Sequence, residues 1–276
     1  MPKPNARNQE GNKLPQRFSR LLMAPEGLEK GVWVRRANFM AVLALACALL
    51  GFSVYLLTDR AGWRAVANYR RMFIDGWFVT VEIAVCSLVL STLAGLLLAI
   101  LRRSPILPLH YAGRIYVETV RGTPLLVQIL LLYYGIFNQV GIENRYISGV
   151  LILSGFSGAY ISEVIRAGLE SIGQSQLESA RAIGLTRAQT YRYVIFPQAI
   201  RQILPPLAGQ FADLVKNSSL LSVIALNEFT QNAQIVGENT FSKMESYVPL
   251  AAGYLVLTLP ISLWTQWLEK KHKFET

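Results

Sequence analysis

Histidine and cysteine are close to absent from this sequence of 276 residues, which holds two of each. Cys47 and Cys86 lie inside apolar runs, and His110 and His272 stand alone. Neither a disulfide framework nor a metal-ligand spacing can be assembled from them, so metal ligands are expected to be none. No GxxxxGK[ST] stretch occurs, which excludes ATP binding by that phosphate-cradling device. No Ser/His/Asp or Cys/His arrangement points to nucleophilic catalysis, and no residue reads as catalytic. Charge is also scarce at 16% of residues, and acidic charge is scarcer, with 17 Asp and Glu against 27 Lys and Arg. A soluble domain usually carries about 25% charged residues. With 52% hydrophobic residues and a mean hydropathy of +0.33, the chain reads as a membrane protein. Its net charge of +10 does not imply nucleic acid, because the basic residues sit at the edges of apolar runs, where cytoplasmic loops of membrane proteins collect them.

What is abundant is apolar sequence in blocks near the length a bilayer needs, about 20 helical residues for a core of about 30 Å. Phe39 to Leu57, Trp77 to Leu101, Leu125 to Phe137 with its flanks, Tyr146 to Ile165, Leu207 to Leu226 and Tyr247 to Leu268 give about six spans. The third is short, and Pro205-Pro206 precedes the fifth. The first block is too long for a cleaved signal and further spans follow, so it is expected to be retained, with a polar, Pro-containing, disordered tail before it. Lys and Arg in that tail, after the second, fourth and sixth spans, place both termini in the cytoplasm. One loop disagrees: residues 58–76, expected outside, hold Arg60, Arg64, Arg70 and Arg71. An interfacial amphipathic helix with Trp63, Val66, Ala67 and Tyr69 toward lipid would account for it.

The polar stretch "ESARAIGLTRAQTYRYVIFPQ" from Glu178 to Gln198, set between apolar blocks, parses as a helical hairpin over about residues 175–198. Ser175 with Glu178 makes a capping box that starts a helix near Gln176. Gly184 suits the left-handed position that closes it. Thr186 with Gln189 is a second capping box, and Pro197 marks where the second helix ends or bends. Ala180 is small enough for a partner surface to approach closely. A doubly capped hairpin without an apolar face of its own suits docking on the cytoplasmic side.

The pattern Glu178-Ser179-Ala180, then Gly184, then Val194-Ile195-Phe196-Pro197 resembles the EAA motif of ABC importer permeases. Ser179 departs from the motif's alanine, and the last block from its Ile-x-Leu-Pro, both keeping size or apolarity. "VETVRGTPLLVQILLLYYG", "SEVIRAGLESIGQSQLESA" and "FADLVKNSSLLSVIAL" resemble the polar amino acid branch of that family. The resemblance runs from about Ile74 to the C-terminus. It implies an all-α polytopic bundle of the type I ABC importer permease kind in a bacterial inner membrane. Residues 1–37 would be a basic tail, 38–73 an added first span with its external connection, and 74–276 the permease domain. It further implies a cytoplasmic ATPase dimer holding ATP and Mg and gripping Glu178, Ser179, Ala180, Gly184, Leu185 and Pro197. A second permease copy or a paralogue would complete the pathway, and an extracytoplasmic amino-acid-binding protein would deliver the cargo. Neither a cofactor in this chain nor a nucleic acid is expected.

Ionisable residues inside apolar spans are expensive and mark function by default. Asp213 and Lys216, three apart, can share a helical face near the bilayer middle, either as a self-neutralising structural pair or as part of the pathway. Asn217 and Ser218 extend that patch. Glu82 lies just inside the outer end of the second span, and Gln128 can face the pore. Arg121-Gly122-Thr123-Pro124 reads as a scaffold turn whose proline opens the third span at its first helical position. Glu163 and Arg166 read as structural, tying the fourth span to the hairpin. The rival reading is an ion-coupled secondary transporter using Asp213 or Glu82, against which no internal repeat is visible.

Overall fold

The computed structural model describes residues 32–272, and among them every regular element is helical. The expected disorder of the N-terminal tail falls largely on residues 1–31, outside the described residues. The chain divides into two compact units at Thr58/Asp59. The first holds α1 (Val32–Leu57), whose Arg36–Leu57 portion is apolar all round and 22 residues long. At 1.5 Å per residue that is about 33 Å, enough to cross a bilayer core.

In the second unit, α3 (Arg70–Leu101) and α6 (Arg145–Glu170) pack along each other as the central pair. The face that α3 buries is small at helical spacing: Ser87, Ser91, Gly95 and Ala99. A Cβ on Gly95 would lie 2.6 Å from Ile161 Cγ2, and one on Gly158 would lie 3.0 Å from Ala94 Cβ. Apolar tails gain nothing by leaving lipid for a partner helix, so helices in a bilayer associate through such close backbone approach. Beside this pair, Leu125, Ile129, Tyr133, Leu214 and Leu221 join Ile152 and Leu153 in the buried core.

Among the described residues four helices are long and apolar enough to cross a membrane: Arg36–Leu57, Arg70–Leu101, Arg145–Glu170 and Lys243–Lys271, the last within α11 (Lys243–His272). A fifth arises if α4 (Leu107–Arg121) and α5 (Leu125–Leu130, continued by a π-helical stretch Leu131–Phe137) count as one span bent by 111°. The fifth expected span, Leu207 to Leu226, does not form as drawn. The helix there, α9 (Phe196–Asn217), begins earlier and tightens to a 3-10 stretch at Ser218–Ile224. The side chains of Ser218, Ser219 and Ser222 donate to carbonyls three residues back, at 2.6–2.8 Å. Such bonds compete with the α-helical ladder. Arg201, Asp213 and Lys216 keep α9 too polar to pass on apolarity alone. Its cover comes from packing on α6 and α11.

The loop of four arginines is also corrected. Its helix, α2 (Arg60–Ala67), is capped by Asp59, whose side chain accepts from the Gly62 N–H. Val66 is buried, and a Cβ on Gly62 would lie 2.6 Å from Glu245 Oε1. Gly62 and Val66 therefore pack on α11 and α10 (Phe229–Thr240) rather than on lipid, Trp63 and Tyr69 are half-buried, and Ala67 and the four arginines are exposed.

Candidate functional site

The hairpin is built from α7 (Gln174–Ala182), a turn, and α8 (Arg187–Thr190), which runs on into α9. Gly184 has φ +78° and closes α7. The Gly184 N–H donates to the Arg181 carbonyl at 3.0 Å and the Leu185 N–H to the Ala180 carbonyl at 3.1 Å. Those two bonds make a complete Schellman motif, which satisfies carbonyls the helix end would leave orphaned. The Thr186–Gln189 capping box is present with both reciprocal bonds.

Three expectations for the hairpin change. The Ser175–Glu178 capping box is absent: Gly173 is the N-cap, α7 starts at Gln174, and no side-chain cap forms. Glu178 is instead exposed and, among the described residues, has no hydrogen bond or ion pair. Ala180 is 3% exposed, so its smallness serves the packing of the hairpin on itself rather than a visiting surface. Pro197 does not end a helix. It has no N–H for the Tyr193 carbonyl, and the chain relieves this with a π-helical stretch at Tyr191–Ile195, where the Phe196 N–H reaches the Tyr191 carbonyl. Ser179 is exposed and Leu185 half-buried at the turn. The sequence reading missed the apolar groups displayed beside them, chiefly Ile183 at 75% exposure and Tyr193 at 64%.

At the same end of α6, Glu163 gathers three arginines. Arg102 Nη1 lies 2.9 Å from its carboxylate, Arg166 Nε 2.7 Å and Arg121 Nη1 3.6 Å. Arg166 also bonds Glu170. The carboxylate thus ties α6 to the ends of α3 and α4, not to the hairpin, because Arg102 and Arg121 terminate those helices. The Arg121 guanidinium also sits 5.5 Å from the Tyr160 ring centre. In the corner that follows, Gly122 caps α4 and Pro124 is the N-cap of α5, one position earlier than expected. Gln128 Nε2 donates to the Val120 carbonyl at 2.8 Å and to both oxygens of Thr123. Its amide is therefore spent on the 111° bend, although the residue also lines a cavity of about 710 Å³ with Tyr116, Thr119 and Phe156.

The polar residues of the spans do not converge. Asp213 and Lys216 form an ion pair at 2.8 Å, with side chains 49% and 58% exposed. Because α9 starts at Phe196, Asp213 lies about 26 Å along it, near the far end rather than midway. Asn217 ends that helix, and the buried Ser218 hydroxyl returns to the Val215 carbonyl. Glu82 stands elsewhere, exposed beside an apolar groove of about 320 Å³ that includes Cys86, Leu90 and Tyr146.

A fourth centre went unread in the sequence. Glu228, fully buried, caps α10 and accepts from the N–H groups of Thr230 and Gln231 at 2.8 Å, from Tyr254 at 3.2 Å and from Thr80 at 3.3 Å. Burial pushes its carboxyl up to about 7, against the pull of those four donors. Glutamate is not among the usual N-cap residues, so nothing in "ALNEFT" signals that Glu228 joins α3, α10 and α11.

Residues 91–273 match the family described as binding-protein-dependent transport system inner membrane component. The chain is 37% identical over 200 residues to a probable glutamine ABC transporter permease protein of Bacillus subtilis, covering 72% of this chain and 93% of that one. It is 33% identical over 218 residues to a glutamate/aspartate import permease protein of Escherichia coli O6:H1, covering 76% and 97%. A solved amino acid ABC transporter with histidines has a chain of the same fold, with TM-score 0.71, 37% identity and coverage of 76% and 98%.

Proposed function

This chain belongs to the binding-protein-dependent transport system inner membrane components, as a permease subunit of an ABC importer, and we propose that its cargo is a polar amino acid. The relatives' names support that class: one is a probable glutamine permease and another imports glutamate and aspartate. In this reading an extracytoplasmic binding protein delivers the amino acid to a pathway formed with a second permease copy or a paralogue. Two cytoplasmic ATPase subunits, which hold the ATP and Mg, grip the hairpin at Glu178, Ser179, Ile183, Gly184 and Leu185. ATP-driven closure draws the hairpins together and reorients the spans. The observation that carries the reading is the Schellman-closed, capping-box-opened hairpin with an unpaired Glu178 and an exposed Ile183. Tagged chain purified from cells that also express the ATPase is expected to bring it down and, in proteoliposomes, to take up amino acid only with ATP. Uptake that follows an ion gradient without any ATPase would sink the reading.

Both termini belong in the cytoplasm on this reading, with α1, α3, the bent α4–α5 pair, α6, α9 and α11 as the six crossings. The hairpin and Arg102, Arg103 and Arg121 then share the inner side, as the bias of basic residues requires. A topology reporter fused after Thr276 is expected to be active in its cytoplasmic form, and activity of the external form would overturn the arrangement.

The Asp213–Lys216 pair is assigned to the pathway because half-exposed charges on a membrane helix must face water or protein, not lipid. Replacing one partner leaves the other unpaired, so Asp213→Asn or Lys216→Gln alone should lower accumulation in the membrane. The double replacement is expected to restore accumulation but not uptake, which should stay about tenfold down, a barrier change of about 1.4 kcal/mol. Full uptake by the double variant would make the pair purely structural.

A further inference from the structure

The inner end of the bundle holds another cavity that the transport reading does not use. It has a volume of about 400 Å³ and is walled by Arg102 and Arg103 at the end of α3, His110, Arg114 and Glu118 on α4, and Arg166 on α6. Glu163 and Glu170 complete it. The three carboxylates are already engaged: Glu118 by Arg114 at 2.8 Å, Glu163 by Arg102 and Arg166, and Glu170 by Arg166. Arg103 is exposed and, among the described residues, has no anionic partner. His110 Nδ1–H donates to the Arg102 carbonyl at 2.6 Å, which fixes the ring and leaves Nε2 free. Four arginines against three glutamates leave an excess of positive charge in a concave site. Guanidinium forks suit phosphate oxygens in both shape and charge.

One turn of α4 decides what kind of phosphate. Leu107, Tyr111 and Ile115 follow one another at four-residue spacing and are 64%, 53% and 64% exposed. His110, Arg114 and Glu118 form the neighbouring stripe, three residues along from each. The helix therefore sets an uncovered apolar ridge directly beside a basic cavity, and its 111° bend to α5 turns it away from the direction of the span. A free phosphate would use the cavity and ignore the ridge, whereas an amphiphile uses both. Basic pockets between membrane helices at the cytoplasmic side are suited to anionic head groups. We propose that the cavity bounded by Arg102, Arg103, His110 and Arg114 binds the phosphate head group of an anionic phospholipid, with the acyl chains along Leu107, Tyr111 and Ile115. The assignment needs only that the chain sits in a membrane, so it stands or falls apart from the identity of the cargo.

The test uses the full chain in nanodiscs of phosphatidylcholine alone, of phosphatidylcholine with phosphatidylglycerol, and of phosphatidylcholine with inorganic phosphate in the buffer. Thermal unfolding is followed, together with lipid retained on release by native mass spectrometry. Phosphatidylglycerol is expected to raise Tm by roughly 3–6 °C and to be retained in preference to phosphatidylcholine. Arg103→Gln is expected to remove most of that rise without loss of folding, because its side chain is exposed and unpartnered. Arg64→Gln, which removes an equal charge from the exposed face of α2, should keep the rise. An equal rise with inorganic phosphate would overturn the lipid assignment in favour of a free anion. A phosphatidylglycerol effect that survives Arg103→Gln, or no preference between the two lipids, would overturn the site.

Discussion

Gly184→Val should insert and accumulate in the membrane like the parent chain, yet fail to hold the ATPase and fail in ATP-driven uptake. The reason lies in the backbone alone. No atom stands within 4 Å of a Cβ built on Gly184, so the substitution meets no clash. What it meets is φ +78°, where a β-branched residue is strained by about 1–2 kcal/mol or more. Relieving that strain breaks the two bonds from Gly184 and Leu185 back to Arg181 and Ala180, and those bonds set the angle between α7 and α8. A rigid docking surface tolerates little misplacement, so uptake should fall by about 100-fold, the cost expected of an error near 1 Å. Gly184→Asn separates shape from chemistry, because asparagine adopts the left-handed region readily, and it should retain most activity. Glu178→Ala should be milder and should act through the lost charge at the interface, since Glu178 caps nothing in this chain. Co-purification of the ATPase measured beside uptake decides the matter. Normal association and transport by Gly184→Val would show that the hairpin is not where the ATPase docks.

The hairpin was legible because its signals are local. A glycine at a helix end and the Thr186–Gln189 box act within four residues, and both appear where the sequence placed them. The Ser175–Glu178 box failed because Gly173 opens α7 first, at a turn that follows directly from α6. The apolar runs gave the long helices but not their ends. Pro197 was read as an end or a bend, and a π-helical stretch carries the chain through it into a helix that starts at Phe196, which moves Asp213 from the middle of a span to its far end. The helices α4 and α10 were overlooked, since each is amphipathic and neither is apolar enough to announce itself. Least legible were the ties across the bundle. Arg102, Arg121 and Glu163 are far apart in sequence, and only the packing of three helix ends brings them together.

The tie at Glu163 also bears on the proposed mechanism. Glu163 joins α3, α4 and α6 at the end of α6 from which the hairpin departs, and the corner above it is braced by Gln128. In the coupling proposed above, a force applied at α7 and α8 would meet that braced end and pass into α9, which follows α8 by way of the π-helical stretch. The soft element on that route is the π-helical stretch at Tyr191–Ile195, where the hydrogen-bond ladder is already loosened.

Glu228→Leu is expected to lower Tm by about 6–12 °C and to reduce accumulation in the membrane. Leucine removes the acceptor for two N–H groups at the start of α10 and for the hydroxyls of Thr80 and Tyr254, a loss of about 3 kcal/mol once the cap and the orphaned donors are counted. Glu228→Gln keeps the shape and removes the charge, and it separates packing from ionisation. Burial raises the Glu228 carboxyl from 4.5 to about 7. A group raised on folding contributes its full stability below its unfolded value, and that contribution is lost as the pH rises through the folded value. The parent chain should therefore lose on the order of 3 kcal/mol from this group between about pH 5 and about pH 8. The glutamine variant should lack that slope: its one carbonyl oxygen can replace Oε2 toward Thr230, Tyr254 and Thr80, while the Gln231 N–H loses its acceptor at a cost that does not change with pH. Thermal unfolding of both chains across that range, in one lipid composition, reads the difference directly. A Glu228→Gln chain that follows the parent's slope would mean that Glu228 is ionised throughout, with its four donors outweighing the cost of burial.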